Sequence, residues 1–319
     1  MKAVYHDKKS YSGRSWSEDY EVPSVSKPHH VLVKVSAAAI NPVDYKLPFI
    51  MTNKKVVGLD FSGVVTQVGS EVTHFAVGDS IFGNTSGTLS EYALCRESKI
   101  AKVPEGLSMV QAAAMPTTYL TAYQALKGHG FQKGMSLLVI GASGGCGTSG
   151  VQIGKALGAA EIVGVCSKKN EDLVKGLGAD SVVDYNTQNV VDVCGKNHFD
   201  HVFDTASSSG GGEAYYKQSM AVLKPSSSIS GSGVYTYLNG GILSFIRKFT
   251  IGTPNNRDLV LTNHSRVDLE GIVSLMKPSE SFEFLPIIHQ TLPFNYENVE
   301  AGFKELKSRR ARGKIVFNF

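Results

Sequence analysis

The stretch Ser136-Leu-Leu-Val-Ile-Gly-Ala-Ser-Gly-Gly-Cys-Gly-Thr-Ser-Gly150 decides how this chain folds. A short apolar run, Ser136 to Ile140, has strand length and strand composition. It passes straight into Gly141, Gly144 and Gly147, spaced Gly-x-x-Gly-x-x-Gly, and then into a predicted helix from Cys146 to Leu157 that Gly158 closes. Glycine permits a sharp turn and a close approach of backbone to a ligand, and a helix N-terminus offers N–H groups and the positive end of a dipole. Gly150 and Gly154 share one helical face, so the helix can press close to a sheet. The stretch therefore predicts a βαβ unit whose turn, Gly141 to Gly147, cradles the pyrophosphate of a dinucleotide.

Downstream, strands and helices alternate. Strands are predicted at Glu161 to Cys166, Ser181 to Asp184, Asp200 to Asp204, Ser228 to Ser230 and Arg257 to Leu261. Helices are predicted at Asn170 to Leu177 and Glu213 to Leu223. That order implies an α/β fold, a Rossmann-type doubly wound parallel sheet. Upstream, the first 100 residues read as β-rich, with Val31 to Val35 and Val64 to Val68 as strands and turn signals at Val77-Gly-Asp79 and Gly83-Asn84. Val31 to Val35 alternates less cleanly after Val33. A helix over Ser108 to Met115, with Ser108 as its N-cap, is interrupted by Pro116 and followed by a second from Thr118 to Leu126. The end of the chain (helices at Asp268 to Met276 and Asn298 to Lys307, then a strand at Lys314 to Phe317) resembles the first part. The expected domains are thus 1–121 with 263–319, and 122–262 between them.

The strand end after the glycine turn bears on the choice of dinucleotide. Sheets of this kind that select NAD usually carry Asp or Glu about 20 residues past the turn, to hold the ribose 2′-hydroxyl. Here Cys166 is followed by Ser167, Lys168 and Lys169, with no acid before Glu171. A hydroxyl and two cations suit a 2′-phosphate, which an aspartate would repel. The expected cofactor is NADP(H).

Bulk composition excludes other classes. With 42% hydrophobic and 19% charged residues the chain reads as globular, and a formal charge of +4 is too weak to argue for nucleic acid. Cys95, Cys146, Cys166 and Cys194 are widely spaced, without a Cys-x-x-Cys pair, so neither a structural zinc site nor a disulfide framework is expected. There is no secretory leader pattern at Met1, and no apolar run approaches the ~20 residues that span a bilayer. A cytoplasmic location is expected. The cluster Lys304, Lys307, Arg309, Arg310, Arg312 and Lys314 sits at a helix C-terminus, where cations are favourable, and nucleic-acid binding is not expected. The amphipathic stretch Leu238 to Ile251 is expected to roof the active site or pack a homodimer, with contact to a membrane surface as a further option; a monomer is equally open.

Several segments together resemble the medium-chain dehydrogenase/reductase superfamily, specifically its zinc-free quinone oxidoreductase branch. They are Asn41-Pro-Val-Asp-Tyr-Lys46, Gly58-Leu-Asp-Phe-Ser-Gly63, Val68-Gly69, Val77-Gly-Asp79, Leu89-Ser-Glu-Tyr-Ala93, Lys102-Val-Pro-Glu-Gly106, Ala112-Ala-Ala-Met-Pro116, Gly141 to Gly147 and Gly313-Lys-Ile-Val316. The resemblance implies a GroES-like, β-rich substrate domain beside the Rossmann domain. Zinc-bearing relatives place Cys where Asn41 stands and Gly-His-Glu where Gly58-Leu-Asp60 stands; Leu59 cannot ligate, so no metal is expected. The resemblance further implies that Ser143, Gly144, Gly145 and Cys146, with Gly147 of the same turn, line the pyrophosphate, that Ser167 and Lys168 meet the 2′-phosphate and that Tyr185 stacks near the adenosine. Thr205 and Ala206, with Gly231 and Gly233 after the fifth strand, would lie by the nicotinamide. It implies hydride transfer from NADPH to a quinone or to the β-carbon of an α,β-unsaturated carbonyl. Lys46 and Tyr45 are the candidate donors to the developing oxyanion, while Asn41 and Asp44 fix the loop and the nicotinamide ribose. The alternative is a catalytically weak NADPH-binding protein with a regulatory or RNA-binding role.

Overall fold

The computed structural model describes residues 1–46, 52–206, 212–225, 233–238, 248, 250, 257–276 and 283–319. They form two compact units: Met1–Thr117 with His264–Val273 and Pro286–Phe319, and Thr118–Asn263 with Ser274–Leu285.

In the first unit, β1 (Ala3–His6) and β2 (Arg14–Ser17) pair as a hairpin. The main sheet draws on β3 (His30–Ala39), β4 (Asp60–Val68), β5 (Ser80–Asn84), β6 (Tyr92–Arg96) and β7 (Ile100–Lys102). β3, ten residues long, is twice the length of the predicted strand and is irregular in its pairing. Register shifts against β4 fall between Leu32 and Val33 and between Val35 and Ala37. The first leaves Thr66 of β4 as the extra residue and the second leaves Ser36 of β3, so only the second shifts the two-residue alternation of β3 itself. The helix Met109–Ala114 lays Ala113 and Ala114 against Ala37 and Ala39, and Ser108 closes a capping box with Gln111 at its start. Pro116 does not merely interrupt. It opens the following helix, Pro116–Leu126, where its missing N–H costs nothing.

The second unit holds β8 (Ser136–Ile140), β9 (Glu161–Cys166), β10 (Ser181–Asp184), β11 (His201–Asp204), β12 (Val234–Tyr237) and β13 (Arg257–Leu259). They form a six-stranded sheet ordered β10-β9-β8-β11-β12-β13, with every pair parallel. All residues of β8, β11 and β12 are buried, as a sheet covered on both faces requires. The strand order reverses direction between β8 and β11, and ligands of such sheets bind at that switch, outside the strands' carboxyl ends. Phe284 explains why 274–285 belongs here: its ring packs on Tyr119 at 5.5 Å.

The chain then returns to the first unit with β14 (Ile288–Pro293) and β15 (Lys314–Asn318). β15 lies antiparallel to β3 and parallel to β14, completing a seven-stranded sheet. Phe61, Phe303, Phe317 and Ile315 anchor its core.

One expected strand is displaced. The fifth strand of the parallel sheet is Val234–Tyr237, whereas Ser228 to Ser230 and Gly231 lie outside the described residues. Gly233 therefore precedes the strand instead of following it. Its N–H donates to the Asp200 carbonyl at 2.8 Å, at the amino end of β11. That is the end of the sheet opposite the switch point, not the carboxyl end expected for Gly233. The stretch 239–247, most of the amphipathic segment, also falls outside the described residues.

Candidate active site

The glycine turn of the second unit folds as its sequence demands. Gly141 sits at φ +77°, in the left-handed region that glycine occupies without strain. Gly147 lies so close to the start of the turn that a Cβ there would overlap the Gly141 carbonyl oxygen and come within 2.7 Å of the Ala142 Cα. Gly150 and Gly154 face Phe203 and Leu137, which a Cβ would meet at 2.7 and 2.5 Å. These three glycines serve packing. Gly144 differs: a Cβ there would meet only the Gly141 oxygen, at 3.5 Å. It is the N-cap of the helix Gly145–Ala156 and brings no side-chain acceptor to the first turn. A cap without an acceptor, open space above Gly144 and a buried helix behind it fit an anionic pyrophosphate.

The neighbouring strand ends converge on this turn. Thr205 donates its hydroxyl to the Ile140 carbonyl at 2.7 Å, and Ala206 follows at the end of β11, beside Gly141. Tyr185, just beyond β10, is 51% exposed, and its N–H donates to the Cys166 carbonyl at 3.4 Å. Ser143 and Ser167 are joined by a residue that sequence reading passed over. The Asn170 side-chain amide donates to Ser143 Oγ at 2.9 Å and to Ser167 Oγ at 3.3 Å. Lys168 is exposed and pairs with Glu171, which also holds Lys175 at 2.8 Å. The two lysines hold the Glu171 carboxyl down to about 2, so it stays ionised. A phosphate at Lys168 has to share that ammonium with Glu171.

The first unit carries a buried polar set. The Asp60 carboxylate, 0% exposed, accepts from Asn41 Nδ2 at 2.8 Å, Asn84 Nδ2 at 2.9 Å, and the Thr117 hydroxyl and N–H at 2.6 and 3.1 Å. Lys314, 6% exposed, donates to Asn41 Oδ1 at 2.5 Å and to the Ile40 carbonyl at 2.9 Å, and lies 3.4 Å from Asp60 Oδ2. Lys314 is therefore no part of the basic cluster read at the helix end. Its signal in the sequence was a lone cation opening the apolar strand Lys-Ile-Val-Phe. Asp44 accepts the Asn41 backbone N–H at 2.7 Å. Burial pushes the Asp44 carboxyl up to about 7, with the Asp60 charge adding to the rise, while the Asn41 N–H and Lys314 oppose it.

Both polar atoms of the Asn41 side chain are thus engaged, one by a carboxylate and one by an ammonium. Asn41 ties this loop to Asp60 and Lys314, and Asp44 accepts the Asn41 N–H within it. Tyr45 is half-buried, its ring against the unit's core and 5.4 Å from Lys307 Nζ. Lys46 is exposed; partial desolvation of its ammonium and the Arg309 guanidinium hold it below the ordinary lysine value. Zinc does not fit these residues. Leu59 has no ligating atom, and the Lys314 ammonium already sits on Asn41 and Asp60, where it would repel a second cation.

Comparison with known proteins agrees with this geometry. Residues 27–105 match the alcohol dehydrogenase GroES-like domain, and residues 177–317 match the zinc-binding dehydrogenase family. The 2-methylene-furan-3-one reductase of Solanum lycopersicum is 33% identical across 100% of this chain and 79% of its own length. The chloroplastic NADPH-dependent alkenal/one oxidoreductase of Arabidopsis thaliana is 30% identical across 99% of this chain and 79% of its own. Among solved structures, the quinone oxidoreductase of Coxiella burnetii superposes with a TM-score of 0.83 at 24% identity, covering 100% of this chain and 99% of that one. The chain belongs to the medium-chain dehydrogenase/reductase superfamily.

Proposed function

We propose that this chain is an NADPH-dependent oxidoreductase that reduces a conjugated carbonyl, an enone, an enal or a quinone, without a metal. The observation that carries the reading is the Gly141–Gly147 turn joined to the strand end Cys166-Ser-Lys-Lys169, which brings a hydroxyl and two lysines and has no acid before Glu171. The names of the two relatives described above support the acceptor class. When bound, the nicotinamide supplies a hydride for an electron-poor carbon. The turn and its serines bind and orient the dinucleotide. Asn41, Asp44 and Lys314 hold the loop that carries Tyr45 and Lys46. Lys46 gives a positive charge, and a proton donor, to the oxygen on which negative charge develops. The four free cysteines support a reducing compartment such as the cytoplasm. No helix among the described residues is long and apolar enough to cross a membrane.

The test is NADPH oxidation across quinones, 2-alkenals and vinyl ketones, repeated with NADH. Turnover with at least one class, and a clear preference for NADPH, is the expected result. Tight NADPH binding with no turnover of any class would instead favour a non-catalytic, regulatory protein. Lys46→Met is expected to lower kcat roughly a hundredfold with little change in NADPH affinity. An unchanged kcat removes Lys46 from the chemistry.

A further inference from the structure

We infer that Asn170 sets the choice between NADPH and NADH by aiming two serine hydroxyl protons at the 2′-phosphate; the inference rests on the NADP(H) reading above. Asn170 is 7% exposed and lies where β9 ends, at the entry to the helix Glu171–Gly176. One amide nitrogen, Nδ2, spends its two protons on Ser143 Oγ and Ser167 Oγ. Both serine oxygens therefore accept. Neither hydroxyl proton has an acceptor among the described residues, so each is left to donate to a ligand. Both hydroxyls sit on a single nitrogen, close enough together for one phosphate group. Lys168 follows Ser167 directly in the chain, its ammonium held by Glu171.

The amide's orientation matters, and hydrogen-bond economy favours the one observed. Turned over, Oδ1 would accept from both serines, and the buried NH₂ would lose both partners. As it stands, only Oδ1 lacks a partner. A buried N–H left unpaired is rarer than a carbonyl oxygen left under-satisfied. The geometry also moves Ser143 from the expected pyrophosphate role to the 2′-phosphate.

The mechanism separates Asn170 from a residue that only stabilises the turn. A structural defect weakens both dinucleotides alike, whereas loss of hydroxyl aim weakens the phosphorylated one. Calorimetric titration of NADPH and NADH into the full chain reads this ratio. Asn170→Leu is expected to raise the NADPH Kd about tenfold, near 1.4 kcal/mol, and to leave the NADH Kd within about twofold. Ser143→Ala with Ser167→Ala should lower the NADPH preference by itself, and adding Asn170→Leu to that pair should change the ratio no further. This double-alanine variant cuts only two half-buried hydroxyls, so it tests the idea even where Asn170→Leu folds badly. An NADPH-to-NADH ratio unmoved by either set overturns the inference, as does a full tenfold loss from Asn170→Leu in the serine-free background. A wild-type chain that binds NADH as well as NADPH defeats the NADP(H) reading itself, together with the inference built on it.

Discussion

Alanine at Gly147 is expected to weaken dinucleotide binding about a hundredfold, near 2.8 kcal/mol, and to lower the unfolding temperature of the chain by several degrees. The added methyl would strike the Gly141 carbonyl and the Ala142 Cα, which are backbone atoms at the start of the same turn. They can yield only if the turn opens. Alanine at Gly144 makes the sharper contrast. Gly144 has φ −81° and ψ 175°, which alanine adopts freely, and its nearest neighbour would be 3.5 Å away. The protein alone would scarcely notice the change, with an unfolding temperature within about 2 °C of wild type. A pyrophosphate lying over that residue would notice it, and affinity should fall about tenfold or more. Thermal unfolding and titration on both variants check the pair. Gly144→Ala that binds NADPH normally would show that the phosphates lie elsewhere.

The second large effect concerns Asp60. Its carboxylate is the shared acceptor for Asn41, Asn84 and Thr117 and the counter-charge of Lys314, all inside the first unit. Asp60→Ala leaves these donors and a buried ammonium without their acceptor. Stranding one member of a buried ion pair costs about 3–5 kcal/mol. That corresponds to a drop in unfolding temperature of roughly 10 °C for a unit of this size. Removing the ammonium as well should recover part of the loss: Asp60→Asn with Lys314→Met is expected to be more stable than Asp60→Ala, because no charge is left uncompensated. If Asp60→Ala unfolds at the wild-type temperature, the buried set is not what holds the Asn41 loop.

The parallel-sheet unit was more legible in the sequence than the site that accompanies it. Its turn is written in local chemistry: an apolar strand, three glycines at fixed spacing and a helix, each demanded by a backbone need at that position. Strand β9, Glu161–Cys166, and strand β10, Ser181–Asp184, fall where their apolar runs place them. The fifth strand was missed because Val-Tyr-Thr-Tyr237 is short, aromatic and buried throughout, which gives no alternation to follow. Lys314 and Asp60 lie 254 residues apart in sequence, and no local pattern announces that they meet. Asn170 was read only as a helix start. Its real partners are two serines, one of them 27 residues earlier, which β8 and β9 bring to neighbouring strand ends. Local rules disclose backbone requirements; pairings of buried polar side chains appear only once the sheets are assembled.

In the proposed reaction a nicotinamide held in one orientation gives up its C4 hydride to a conjugated carbonyl. The direct measurement uses NADPH deuterated at C4, each diastereomer separately, with the acceptor that the chain reduces fastest, and mass spectrometry of the NADP⁺ formed. One NADP⁺ should appear per acceptor reduced. It should lose its deuterium from one diastereomer and keep it from the other. Acceptor reduced without NADP⁺, or deuterium lost equally from both diastereomers, would contradict it.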